Sequence, residues 1–149
     1  MNQDVRKVHL SLPATAEFVD IVRLNLYGIA SKMGFTYEEI DDMKVAVSEA
    51  CNNSVLYAYN HEQGRIDVIF EMGPDELNIT VRDDGNSFDK LSSRTGTSLH
   101  DKELGEAQIG GLGFYLMQAL MDDVSVVNET GKGTIVTLTR KLSRSEERV

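Results

Sequence analysis

With a single cysteine, Cys51, among its 149 residues, the chain can form no internal disulfide. The thiol lies in an apolar helical stretch, which marks it as a packed core group rather than a reactive one. Histidine is sparse too: His9, His61 and His100 are scattered without metal-ligand spacing, so no zinc site is expected. Basic residues are outnumbered, 15 Lys and Arg against 24 Asp and Glu, and the formal charge of −9 would repel a phosphate backbone. No Lys/Arg cluster with interleaved aromatics overcomes that field, so direct nucleic-acid binding is not expected. No apolar run approaches the roughly 20 residues that span a bilayer as a helix. The amino terminus Met1-Asn2-Gln3-Asp4 carries no basic segment followed by a hydrophobic one, so a cytoplasmic protein with no membrane association is expected. Two familiar nucleotide signatures are missing as well: there is no G-x-x-x-x-G-K-[ST] loop and no G-x-G-x-x-G after the first strand. P-loop and Rossmann folds are thereby set aside.

What is present fits one globular unit. An apolar fraction of 41% and a charged fraction of 26% are ordinary for a folded domain, and 149 residues can bury a core without a structural metal. From Val5 to Leu12, Val8, Leu10 and Leu12 alternate as in a half-buried strand, which Pro13 ends. From Ala14 to Met33, the residues Phe18, Ile21, Val22, Leu26, Ile29 and Met33 recur at helical steps, and Gly34 stands where a helix would stop. Thr36 and Glu39 have capping-box spacing, and Ile40, Met43, Val47, Ala50 and Cys51 carry a second helix toward Tyr59. Runs from Arg65 to Met72 and from Glu76 to Val81 flank Gly73-Pro74-Asp75 as a hairpin. Helical spacing returns from Leu112 to Met121, and strands follow from Val124 to Val127 and from Thr134 to Leu138. The order predicts an α+β fold: a two-layer sandwich whose mixed, mostly antiparallel sheet is covered by helices on one face. It occupies residues 1–142, and residues 143–149 are expected to form a disordered tail.

Three polar constellations carry the chemistry. Glu49 and Asn53 are four apart on the second helix, so they project from one side, beside its apolar stripe. A solvated helix edge explains that spacing on its own. The alternative uses Glu as a base and the Asn side-chain oxygen as a hard ligand for Mg²⁺, which takes few protein oxygens when phosphates and water supply the rest. After the strand ending at Val81 comes Asp83-Asp84-Gly85, either a plain turn or a carboxylate and a glycine placed for a flat ligand. Gly110-Gly111-Leu112-Gly113 opens a helix, where free amides and the positive dipole end suit phosphate, although a hinge would also account for it.

In this order, Glu-x-x-x-Asn, then Asp-x-Gly, then a long loop ending in Gly-Gly-Leu-Gly, the chain resembles the GHKL (Bergerat) ATP-binding fold shared by histidine kinases, gyrase and MutL. The stretch from Lys44 to Asn53, with Gly111-Leu112-Gly113-Phe114-Tyr115-Leu116-Met117 and Leu120-Met121-Asp122-Asp123-Val124, is most similar to the anti-sigma serine kinases RsbW and SpoIIAB. The likeness covers nearly the whole chain. It implies that Glu49 activates an attacking serine, Asn53 holds Mg²⁺ and Asp83 reads adenine. It further implies that Gly85, Gly110, Gly111, Gly113 and Thr134 surround ATP, under a lid over residues 88–109. It implies as partners an alternative sigma factor, sequestered by the ATP-loaded protein, and a STAS-domain anti-anti-sigma factor, phosphorylated on serine. A homodimer is implied too, with Arg23 as a sigma contact.

Rival readings share the ATP site. A regulatory kinase of the RsbT type would phosphorylate STAS proteins without restraining a sigma factor. A non-catalytic module would use nucleotide only to exchange partners, and Glu49 argues against it. A detached histidine-kinase domain would follow a helix pair bearing a phosphoacceptor histidine, whereas His9 lies on a predicted strand.

Overall fold

The computed structural model describes residues 5–55, 64–84, 111–129 and 133–142. Within them the order is β1 (Arg6–Pro13), α1 (Ala16–Met33), α2 (Tyr37–Asn53), β2 (Arg65–Met72), β3 (Glu76–Asp83), α3 (Leu112–Leu120), β4 (Asp123–Glu129) and β5 (Gly133–Lys141). The strands form one five-stranded sheet in the order β1-β2-β3-β5-β4. Every ladder between described strands is antiparallel, so the parallel component allowed for by a mixed sheet is not found among them.

Register follows from the period of two. Val68 sits opposite Leu10 and Val81, and Val81 opposite Val136, so one sheet face is a continuous apolar surface. Ile66, Val68, Phe70, Ile79, Val81 and Leu138 on that face join Val22 and Leu26 of α1 and Met43 and Val47 of α2 in one buried cluster. Each such side chain contributes about 2 kcal/mol by leaving water. The other face is polar and carries Lys7 paired with Glu71 at 3.4 Å and Arg82 paired with Asp67 at 3.5 Å. The described helices therefore cover one side, in a two-layer α+β fold.

Local signals set the helix ends. Thr36 Oγ1 accepts from the Glu39 amide at 3.1 Å while Glu39 Oε1 accepts from the Thr36 amide at 2.8 Å, closing a capping box at the start of α2. Gly34 takes a left-handed φ of 102° at the end of α1 and returns its amide to Ala30 and Ser31. Helix α1 starts at Ala16 rather than Ala14, because the Ala14 amide donates to the Gly64 carbonyl at 2.8 Å and keeps that residue with the sheet. Pro13 closes β1 from inside the strand, opposite Arg65. Helix α2 ends at Asn53 with Ser54 as its cap, and the part of its expected extension from residue 56 to Tyr59 falls outside the described residues.

Candidate functional site

The site gathers where the end of α2, the start of α3 and the ends of β3 and β5 meet. Glu49 and Asn53 lie one turn apart near the end of α2, both half-buried beside the stripe of Ala46, Val47 and Ala50. The start of α3 packs against this turn. Gly113 is the point of contact: a Cβ there would lie 2.8 Å from Glu49 Oε1. The glycine thus makes room for the carboxylate. Gly111, which precedes the helix, offers no side-chain cap, and the first amides of any helix lack intrahelical acceptors. Those donors open beside Glu49, and such helix starts favour anions.

Asp83 is the last residue of β3 rather than part of the turn beyond it, because β3 continues two residues past Val81 to pair with β2 and β5. It is opposite Ile66 on one side and Thr134 on the other, on the helix-covered face, and only 4% exposed. A buried carboxylate costs several kcal/mol unless charge or hydrogen bonds compensate it. Two donors do so. The Ser54 hydroxyl donates to Oδ2 at 2.8 Å, and the Thr134 amide donates to Oδ1 at 3.3 Å. Thr134 acts here through its backbone, while its hydroxyl donates to Asn128 Oδ1 at 3.0 Å. Gly133 permits this closure with a φ of 98° at a place where a Cβ would fall 1.9 Å from the Asp83 carbonyl oxygen.

Ser54 and Asn128 were not anticipated from the sequence. For Ser54 a signal exists: Val47, Ala50, Cys51 and Ser54 follow one another at helical steps, so a hydroxyl falls on the buried stripe and requires a buried partner. Asn128 carries no such signal, because it depends on the pairing of β4 with β5.

Arg23 is tied into the helical layer. Its Nη1 donates to Ser48 Oγ at 2.8 Å, and it forms an ion pair with Asp20. Arg23 therefore reaches from α1 to the residue before Glu49, with 37% of its side chain still exposed. Burial pushes the thiol of Cys51 up to about 12, against a smaller opposing effect of the Arg23 charge, so it is a protonated core group. Gly85, Gly110, the expected lid over 88–109 and the tail from 143 to 149 lie outside the described residues. Among those described, no helix is long and apolar enough to cross a membrane.

The arrangement provides a hydrogen-bond acceptor sunk into the sheet at one end. At the other it provides the Glu49 carboxylate against the start of α3, with Asn53 one helical turn away. Known proteins carry the same architecture. The family model of the histidine kinase-like ATPase domain matches residues 12–140. A serine-protein kinase RsbW of Bacillus cereus is 40% identical over 139 residues, covering 92% of this chain and 87% of the relative. RsbW proteins of Bacillus thuringiensis subsp. konkukian and Bacillus mycoides are 40% and 39% identical with the same coverage. A crystal structure of the RsbU and RsbW domains of a Mycobacterium tuberculosis protein superposes with a TM-score of 0.67 at 24% identity. It spans 93% of this chain, which in turn covers 33% of that longer one.

Proposed function

Because the chain belongs to the histidine kinase-like ATPase family, among the serine-protein kinases related to RsbW, we propose that it is an anti-sigma factor and protein-serine kinase. It sequesters an alternative sigma factor and, with Mg-ATP, phosphorylates a serine on a STAS-domain anti-anti-sigma factor. That phosphorylation decides which partner is held, a switch suited to a stress response, and the working form is a cytoplasmic homodimer.

One observation supports the nucleotide site above all: the buried Asp83 carboxylate is bonded to Ser54, the residue next to Asn53, while Glu49 faces Gly113 one turn earlier. The base-reading carboxylate of β3 is thus tied to the end of α2, which carries the phosphate-handling groups. Asp83 accepts from the exocyclic amine of adenine. Gly85, Gly110, Gly111, Gly113 and Thr134 surround the nucleotide, with the opening amides of α3 toward its phosphates.

The residues present fit a magnesium ion. The amide oxygen of Asn53 is a hard donor and half-buried, one turn from Glu49. Mg²⁺ held there together with the phosphates would supply charge neutralisation. Glu49 then receives the proton of the incoming serine hydroxyl as the serine oxygen bonds to the γ-phosphorus and the bond to the ADP oxygen breaks. Arg23, anchored by Ser48 and Asp20, presents its exposed edge on α1 as a sigma-factor contact.

Affinity capture from the native cytosol tests the partner switch, with the tagged protein in Mg-ATP and separately in Mg-ADP. A sigma factor enriched with ATP and a STAS protein enriched with ADP is the expected outcome. STAS partners alone in both nucleotides would replace this function with that of a regulatory STAS kinase.

A further inference from the structure

Ser54 is a buried hydroxyl with a choice of acceptor. A serine at the end of a helix can return its hydrogen to the carbonyl four residues back. This one donates across the fold instead, to Asp83 Oδ2 at 2.8 Å, with both side chains buried. The opposite oxygen, Oδ1, receives the Thr134 amide at 3.3 Å. In both of these bonds Asp83 accepts, which favours its acceptor-only carboxylate and orients it between α2 and β5.

Resting on the nucleotide site proposed above, we infer that Ser54 is a positioning residue that sets base specificity: it holds Asp83 as an oriented acceptor for the amine of adenine. A carboxylate has about four acceptor sites, so the Ser54 and Thr134 donors do not by themselves exclude a bond to a ligand amine. A protonated Asp83 would turn a donor toward the base and could pair with the carbonyl of guanine. The pinned carboxylate meets that carbonyl acceptor to acceptor. Ser54 touches no reacting atom in this scheme, so its removal is read on nucleotide recognition.

The test compares ATP with purine riboside triphosphate, the same nucleotide without the exocyclic amine, by calorimetric titration in Mg²⁺ against wild type, Ser54→Ala and Ser54→Thr. Wild type is expected to prefer ATP by on the order of 10- to 100-fold, the range of a hydrogen bond to a charged acceptor. In Ser54→Ala that preference should fall to about threefold or less, with weaker ATP binding and nearly constant affinity for the amine-free nucleotide. Ser54→Thr, which keeps the hydroxyl, should restore the preference. A purely structural serine would weaken both nucleotides alike, so an unchanged ratio in Ser54→Ala would overturn the inference while leaving the site intact. Equal affinities in wild type would overturn the adenine contact of Asp83 itself, and Ser54's part with it. Should Ser54→Ala not fold, Ser54→Cys, close in volume and a far weaker donor, is read on the same ratio.

Discussion

Glu49 and Gly113 share one space: the Glu49 carboxylate lies 2.8 Å from the point where a Cβ on residue 113 would stand. The clash partner is the far end of a flexible side chain, so an alanine can be accommodated if the carboxylate moves. Gly113→Ala should therefore fold with a melting temperature within a few degrees of wild type, while serine phosphorylation falls by on the order of tenfold or more through misplacement of the base. Kinase assays paired with thermal melts check this. Full activity in a folded variant would remove Glu49's dependence on the glycine.

Gly133 is constrained differently, because its neighbours are backbone atoms that cannot swing away. Its φ of 98° disfavours any side chain, and a Cβ would fall 1.9 Å from the Asp83 carbonyl oxygen. Gly133→Ala should lose at least about 2 kcal/mol, beyond the usual cost of a left-handed conformation alone. Urea denaturation measures the loss, and ATP binding should weaken in parallel as Asp83 loses the Thr134 amide.

Short-range features were legible in the sequence and long-range ones were not. The capping box of Thr36 and Glu39 and the glycine stop at Gly34 involve residues within a turn of one another, and both stand in the structure. The family and the two-layer α+β fold were legible from motif order. The bond between Ser54 and Asp83 joins residues 29 apart in the chain: the helical stripe places a hydroxyl in the core, but nothing local names its partner. The apolar alternation alone ends β3 at Val81 and leaves Asp83 beyond it, for a similar reason: its ladder partners Ile66 and Thr134, which extend the strand, are distant in sequence. The apolar period alone starts α1 at Ala14, two residues early, because the backbone bond from Ala14 to Gly64 overrides it.

Cys51 offers a pH-dependent probe of the core. Its thiol is raised from 9.0 to about 12 by burial, so it stays protonated while an unfolded thiol ionises. A folded pKa above the unfolded one gives stability that is complete below about pH 8.5 and is lost as pH rises toward 12. Disulfide-exchange reagents at pH 8 should label Cys51 only in denaturant. Rapid labelling of the native protein would contradict its burial.

Asp67 reports on the open sheet face. Burial pushes its carboxyl up, but hydrogen bonds from His9 and Ser11 and the Arg82 guanidinium outweigh that and hold it below the ordinary carboxylate value. The depressed folded pKa gives stability present above about pH 4 and lost as pH falls through the lower folded value. Asp67→Asn should cost about 0.5–1 kcal/mol at pH 7, the range of a partly exposed pair. The difference from wild type should vanish in acid, as denaturation across pH would register.

The most direct test of the kinase assignment is single-turnover transfer from γ-labelled ATP to a STAS-domain protein of the same organism, using wild type and Glu49→Ala with ATP affinity measured on both. The label should reach a serine with wild type and slow by on the order of 10²- to 10⁴-fold in the variant, the usual share of a general base, while affinity stays within a few-fold. Equal transfer by Glu49→Ala would contradict the role assigned to the carboxylate that stands against Gly113.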